Sequence, residues 1–426
     1  MNKRAVITGL GVVSPIGIGA KTFWHNALEG RSGVTALTRL EELPADGYRC
    51  QVAAQVADFD SGQLPPAIHA ERFDRYAQFA LVAAQEAVDD AGLDLGREDP
   101  RRVGVIVGAG MGGMLIGEEE FAKVYRAMRP NRVHPNFIPM ITLNSASGII
   151  AITLGAKGPN LTISTACSSS AHAIGQALVA IRTGQADVVV TGGADASLLP
   201  LTFAGFCALR ALSTSYNATP ERASRPFDRA RDGFVMGEGA GMLVLESLAH
   251  AKRRRARIYA EVAGYGATSE AYHMVMPKED GTEMASTMAL ALQDAGLAPA
   301  QVDYVNAHAT ATPVGDPVEV MAIRRVFRRR ADRVLVNATK SLIGHTLGAA
   351  GALGAIATAL AIEHGVVHPT VNYDDPDPAC ELPGISRQAQ ERPVRAAVLN
   401  AFGFGSNNAA VVLRGLPEAA PRRRAG

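Results

Sequence analysis

Hydrophobic and polar positions follow two habits along this chain. Short β-branched runs, Val103–Val107 (VGVIV), Leu161–Ile163, Val188–Val190, Val302–Val305 and Val334–Val336, are largely apolar, as in strands covered on both faces. Between them, Ala-rich stretches with helical spacing at Tyr76–Ala91, Ala171–Arg182, Met284–Ala295 and Ala349–His364 predict helices. Gly92, Gly184, Gly296 and Gly365 close these stretches and supply their C-terminal stops. Strands alternating with helices predict an α/β fold with parallel strands beneath helices. The opening AVITGLGVV reads as one more strand, because glycines interrupt it and no small-residue cleavage site marks a signal peptide.

One internal echo sets the organisation. From Leu161, LTISTACSSSAHAIGQALVAIRTG runs strand, polar turn, helix; from Val334, VLVNATKSLIGHTLGAAGALGAIATALAIEHG repeats the plan and again ends at Gly. This predicts two similar α/β halves with facing turns, residues 1–255 and 256–415. The boundary falls at the basic run Ala251–Arg257 (AKRRRAR), read as a solvated helix end, and the tail 416–426 reads as disordered.

Composition narrows the function. In 426 residues, 42 Lys+Arg balance 41 Asp+Glu for a net charge of +1, which offers no field for nucleic acid. The chain is 47% hydrophobic, and its 19% charged content points to a thick fold or an oligomer interface. Four scattered cysteines without a CxxC pair exclude a disulfide scaffold and the usual zinc spacings. The apolar run Leu347–Ile362 falls short of the roughly 20 residues of a membrane span, so a soluble, cytoplasmic protein is expected.

Cys167 carries the sharpest chemical signal. It lies between a strand and a helix, where free N–H groups and the helix dipole favour an anion, so its thiol is expected to be more acidic than the usual value of about 8.5. Position alone leaves open a reactive or a buried structural cysteine; Cys50, Cys207 and Cys380 read as the latter. His308 (VNAHATATPVGD) and His345 (ATKSLIGHTLGAAG) each follow a predicted strand, where open α/β sheets place their sites. A thiol and two imidazoles converging there suit acyl transfer, with a nucleophile and donors for an oxyanion. Lys340, in the turn of His345, reads as orienting a histidine or tuning charge, or as an exposed lysine. Asn400–Asn408 (NAFGFGSNN) reads as core or as a hinged loop with an aromatic gate. Gly108–Gly113 (GAGMGG) imitates a dinucleotide fingerprint but lacks the acid about 20 residues on, leaving a dinucleotide-dependent oxidoreductase as a remote alternative.

With TACSSSAHAIG, RPFDRARDGFVMGEGAGMLVLE, EAYHM, VNAHATATPVGD, ATKSLIGHTLGAAG and NAFGFGSNN in one order, the chain resembles the thiolase-fold ketosynthases, specifically elongating beta-ketoacyl-(acyl carrier protein) synthases of the synthase II type. The resemblance implies a layered α-β-α-β-α fold and a decarboxylative condensation. Cys167 would take the acyl chain as a thioester, and His308 and His345 would stabilise the malonyl enolate beside Lys340. The N–H groups of Cys167 and Phe404 would hold the oxyanion, and Phe404 would gate. By the same resemblance Met111 lines the acyl pocket, Thr310 and Thr312 contact the phosphopantetheine arm, and Arg210 and Arg72 meet the acyl carrier protein. It implies no metal or organic cofactor, since the substrates ride on the carrier's 4′-phosphopantetheine, and a homodimer or a heterodimer with a chain-length-factor-like subunit.

The chain departs from the family pattern at Gly354 (usually Glu), Ala309 (usually Gly), Ser406-Asn407-Asn408 (usually Gly-Thr-Asn), Glu270 (usually Asp) and Glu71 (usually basic). These changes gather at gating and carrier-recognition positions and suggest a polyketide or polyene chain over a housekeeping fatty acid. A non-condensing chain-length factor or a degradative thiolase is the alternative on the same fold.

Overall fold

The computed structural model describes residues 3–40, 47–64, 68–69, 72–126 and 128–416. Ten strands build its main sheet: β1 (Ala5–Ser14), β2 (Val103–Gly108), β3 (Asn160–Ile163), β4 (Val188–Asp195), β5 (Gly239–Ser247), β6 (Ala260–Ser269), β7 (Tyr304–Asn306), β8 (Leu335–Asn337), β9 (Ala396–Gly403) and β10 (Asn407–Arg414). Their order is β8-β7-β9-β10-β6-β1-β5-β4-β2-β3, with the two-residue strand Gly17–Ile18 hairpinned onto β1. Among the described residues, four helices of 14 to 16 residues are α1 (Arg75–Asp90), α2 (Ser169–Arg182), α3 (Thr282–Ala295) and α4 (Ala350–His364), and a 13-residue helix spans Gly315–Phe327.

The order contains its own repeat, because each strand of the first five has a counterpart five places later. In each half the second strand runs parallel to the third and fourth, while the fourth, fifth and first are joined antiparallel. The halves meet where β1 pairs antiparallel with β6, Ala5 opposite Val262 and Ile7 opposite Ala260. All five strands expected to be parallel are so. The antiparallel pairings β4–β5, β5–β1, β1–β6, β6–β10 and β10–β9 make the sheet mixed. Helices α1 and α3 occupy matching outer places, while α2 and α4 pack together between the two halves of the sheet, giving five layers.

The repeat reaches single residues. A Cβ on Gly9 or Gly11 of β1 would lie 2.0 or 1.8 Å from the Ala87 or Ala83 carbonyl of α1. A Cβ on Gly264 or Gly266 of β6 would lie 2.3 Å from the Ala291 or Thr287 carbonyl of α3. Each outer helix thus rests on a glycine pair of its own first strand. The stops at Gly92, Gly184, Gly296 and Gly365 all have positive φ, as predicted.

Helix α4 is buried on every side from Ala350 to Ala361. This accounts for its apolarity: the stretch Leu347–His364 has the length and composition of a membrane span but forms the centre of the fold. The basic run at 251–257 is only partly solvated, since Arg254 is drawn onto the buried Glu246 carboxylate with His250 and Thr8. The expected tail lies outside the described residues from 417 onward, as does Glu71.

The seam between α2 and α4 tolerates no added bulk. A Cβ on Gly351 would sit 2.9 Å from both the Ala171 amide nitrogen and Ser170 Oγ, which accepts the Ala352 N–H at 2.9 Å. Gly351→Ala is expected to cost about 1–3 kcal/mol through overpacking, read as a lowered denaturation midpoint in urea.

Candidate active site

Three turns carry the candidate residues, and each is held by a different device. After β3 the backbone folds back sharply at Ala166 (φ 51°). The Ser168 and Ser169 hydroxyls donate to the Thr165 and Ala166 carbonyls at 2.8 and 2.6 Å, and Ser169 Oγ accepts the Thr165 N–H at 2.9 Å. This fixes buried Cys167 at the mouth of α2. After β7, the His308 and Ala309 N–H groups donate to the Glu319 carboxylate at 2.8 and 2.7 Å, and Ala311 N–H donates to Asp316 at 3.1 Å. These carboxylates hold Ala309 (φ 25°) and Ala311 (φ 67°) in a left-handed backbone costly for non-glycine residues. After β8 a short helix, Lys340–Ile343, leads into His345, whose N–H donates to the Val235 carbonyl at 2.7 Å while its carbonyl accepts the Gly237 N–H at 2.9 Å. The second imidazole is thereby clamped to the first half.

The turns converge. The His308 and His345 rings meet edge to face, 5.4 Å between centroids and 89° apart. Phe402 backs His308 at 5.7 Å and Phe234 backs His345 at 5.4 Å. Phe234 shares an apolar cluster with Cys167, Leu198, Phe203 and Leu347, and half-buried Met111 packs against it. The Phe404 and Cys167 N–H groups face the Cys167 sulfur, and the Lys340 charge is felt at Cys167 and at both imidazoles.

Burial dominates the electrostatics and overturns one expectation. The Cys167 thiol is not acidic: loss of solvent pushes it up to about 11, against the weaker pull of Lys340 and of the Phe404 N–H. A helix mouth helps an anion, but here it is outweighed by an apolar wall. Burial, reinforced by Lys340, drives His308 and His345 well below the ordinary imidazole range. Lys340 itself is lowered to about 8 by burial. At neutral pH the chamber therefore holds a neutral thiol, two neutral imidazoles and one ammonium. Among the described residues no group of three or more His, Cys, Asp or Glu is arranged to hold a metal ion.

Residues 2–251 match the family described as Beta-ketoacyl synthase, N-terminal domain, and residues 259–374 match Beta-ketoacyl synthase, C-terminal domain. The chain belongs to the beta-ketoacyl synthase family. It is 44% identical over 97% of its length to 3-oxoacyl-[acyl-carrier-protein] synthase 2 of Staphylococcus aureus, covering 98% of that protein. To the Coxiella burnetii protein of the same name it is 43% identical over 96% of its length, again covering 98%. Among solved structures it is similar to a type II polyketide ketosynthase bound to a hexaketide with its acyl carrier protein (TM-score 0.91, 37% identity, 98% of this chain and 100% of that one). It is also similar to the ishigamide ketosynthase/chain length factor (TM-score 0.89, 36% identity, 98% and 100%).

For this beta-ketoacyl synthase the remaining sequence-predicted positions divide in two. Thr310 and Thr312 stand together beside His308, their hydroxyls 3.2 Å apart, and Phe404 lies against the sulfur. Arg72 and Arg210 are exposed, before α1 and behind the helix Pro200–Ala208. The segment Asn400–Asn408, read as core or as a hinged loop, is mainly paired strand. It belongs to β9 and β10, with a tight turn at 404–406 fastened by Gly405 N–H to the Met274 carbonyl at 2.8 Å and by Glu270 N–H to the Ser406 carbonyl at 3.0 Å.

The Gly108–Gly113 imitation of a phosphate loop is already filled. Asp195, at the end of β4, accepts the Gly110, Met111 and Gly348 N–H groups at 2.9, 3.0 and 2.6 Å. Asp195, Glu319, Asp316 and Phe234 were missed from sequence. The acids had a signal: each follows an apolar strand or opens a helix directly after a reactive turn.

The charges predict a labelling experiment. Lys340 favours the Cys167 thiolate, so Lys340→Met raises the thiol further and slows iodoacetamide alkylation, measured by intact mass. The ammonium is lost near pH 8, so the rate ratio of wild type to variant is largest at lower pH and narrows above it, while both rates climb toward pH 11.

Proposed function

We propose that this beta-ketoacyl synthase uses Cys167, His308, His345 and Lys340 to condense an acyl chain with a malonyl unit, each delivered as a thioester of an acyl carrier protein. The observation carrying the reading is the convergence of a buried thiol, two neutral imidazoles and an ammonium in one apolar chamber. Cys167 sulfur attacks the acyl thioester, the carrier sulfur leaves, and the proton lost by the cysteine ends on the carrier thiol. Malonyl carrier then enters; its carboxylate departs as carbon dioxide, and the electron pair left behind forms an enolate. Neutral imidazoles can donate hydrogen bonds to that enolate oxygen without the desolvation cost of a buried cation. The enolate carbon attacks the acyl-cysteine, the C–S bond breaks, and a 3-ketoacyl carrier leaves two carbons longer. The Cys167 and Phe404 N–H groups take the oxyanion of each addition, with Phe404 and Met111 bounding the acyl end of the chamber.

Donors in a dry pocket suffice for this decarboxylation, so the reading includes no metal or organic cofactor, and it places the enzyme in the cytoplasm. Thr310 and Thr312 then meet the pantetheine arm, and Arg210 and Arg72 the carrier. The reading divides the chain into halves at 255/256. A second copy or a chain-length-factor-like subunit is assigned to the edge strand β3, which among the described residues is paired on one side only and where Leu161 is 50% exposed, with Ile152 at 78% on the preceding helix. Retention of Cys167 argues against a non-condensing subunit. Cys380 packs in a different apolar cluster from Cys167, which argues against the second cysteine of a thiolase. For the acyl chain we favour a polyketide or polyene over a saturated fatty acid, because two of the departures from the family pattern, Glu270 and Ser406–Asn408, sit in the fastening around Phe404.

Cys167→Ala is expected to form no acyl adduct by intact mass while still decarboxylating malonyl carrier; an adduct on the variant would contradict the nucleophile. His308→Ala should lose decarboxylation by about tenfold or more relative to self-acylation, and equal losses would remove its enolate role. Turnover of polyunsaturated against saturated acyl carriers tests the chain, and a clear preference for long saturated chains overturns the specialised reading.

A further inference from the structure

Two walls of the chamber beside Cys167 come from opposite halves of the molecule. Met111 belongs to the loop after β2, and Leu347 to the turn after His345; both join the apolar cluster that holds Cys167. Neither wall is set by side-chain packing alone. Met111 N–H donates to Asp195 Oδ1 at 3.0 Å, and Gly348 N–H, directly after Leu347, donates to Asp195 Oδ2 at 2.6 Å. Gly110 N–H adds a third bond to Oδ2 at 2.9 Å. Leu347 itself is held at φ 48°, a costly conformation for a leucine that needs an outside restraint.

The two backbones close on the carboxylate with no room to spare. A Cβ on Gly348 would lie 2.5 Å from Asp195 Oδ2 and 2.5 Å from Gly110 N, and one on Gly110 would lie 2.7 Å from the same oxygen. Asp195 is wholly buried; the three bonds to its oxygens come from backbone N–H groups of these two turns, and the Gly112 N–H of the first turn also favours its carboxylate. Its electrostatic influence reaches Cys167 and Tyr76.

We propose that Asp195 is a positioning residue that fixes the spacing between the Met111 and Leu347 walls, and so sets which acyl chains the Cys167 chamber admits. The proposal rests on the reading of Cys167 as the acyl acceptor. An ionised carboxylate draws the two turns together because the groups bonded to it from both turns are N–H donors. A carboxamide presents an N–H₂ to at least one of those donors and pushes a wall away.

The test is acylation of Cys167 in the full chain by butyryl, octanoyl and dodecanoyl thioesters of an acyl carrier protein, followed by intact mass. Asp195→Asn is expected to raise the rate ratio of dodecanoyl to butyryl by about tenfold or more, since displacements near 1 Å at a reacting site change rates by up to about a hundredfold. Asp195→Glu keeps the charge and its donors and moves both walls outward by one methylene, so it should shift the ratio in the same direction by a smaller factor. A merely structural carboxylate would lower all three rates together. An unchanged ratio, or one moved toward butyryl, overturns the proposal; if the Asn variant fails to fold, the Glu variant alone decides. Absence of any adduct on the wild-type chain would instead refute the assignment of Cys167.

Discussion

The close approach of the first turns of α2 and α4 is the constraint from which the rest of this structure follows. One helix brings Cys167 and the other follows the turn of His345. They can share a chamber only because Gly351, Ser170 and Ala171 let the two backbones almost touch. A larger residue at that seam would separate a helix of the first half from one of the second, and with them the thiol from an imidazole. The outer layers repeat the device with Gly9 and Gly11 under α1, and Gly264 and Gly266 under α3. Small residues therefore set the inter-layer distances. The ordinary hydrophobic core fills what those distances leave.

This compactness determines the charge state. Water is excluded from the thiol and both imidazoles, and at each of them burial is the largest influence on ionisation. Only Lys340 resists in part, because Glu319, Cys167 and Asp316 favour its cation. The buried acids are spent on backbone geometry: Glu319 on the His308 and Ala309 amides, Asp316 on those of Ala311 and Phe227, and Asp195 on three amides across the halves. Carboxylates buried among N–H donors hold strained turns in place, and the thiol and both imidazoles stay neutral beside them.

Much of this was legible in the sequence, and the boundary of legibility has physical causes. Parallel strands such as VGVIV are apolar on both faces, and helices ending at Gly show a stop, so both could be read directly. The repeat surfaced in the turns around Cys167 and His345. It could have been found again in ITGLGVV and VAGYGAT, whose paired glycines serve the same contact. Strands β9 and β10 were hidden because NAFGFGSNN is rich in small and polar residues, although register with neighbours holds most of it extended. The acidity of Cys167 was misjudged for a deeper reason. A helix mouth is a local property visible in sequence, whereas the apolar wall that overrides it is assembled from Leu198, Phe203, Phe234 and Leu347, distant along the chain.

The same logic explains how the chain tolerates glycine at 354, where ketosynthases of this type usually carry a glutamate. A Cβ there would lie 2.8 Å from Leu399 and 3.2 Å from Asn306 Oδ1, so Leu399 occupies the path a longer side chain would take. The polar groups around the position are already joined to one another. Asn306 donates to Tyr304 Oη and to Thr339 Oγ1, both at 2.9 Å, Tyr304 donates to Asn337 Oδ1 at 2.5 Å, and Asn337 donates to the His368 carbonyl at 2.9 Å. Thr358 closes the circuit by donating to the Gly354 carbonyl at 2.7 Å. A carboxylate inserted here would add a buried acid whose nearest donors are already used in this neutral circuit. Glycine at 354 keeps this circuit closed with neutral hydrogen bonds, while the turn of His308 itself is held by the Glu319 carboxylate.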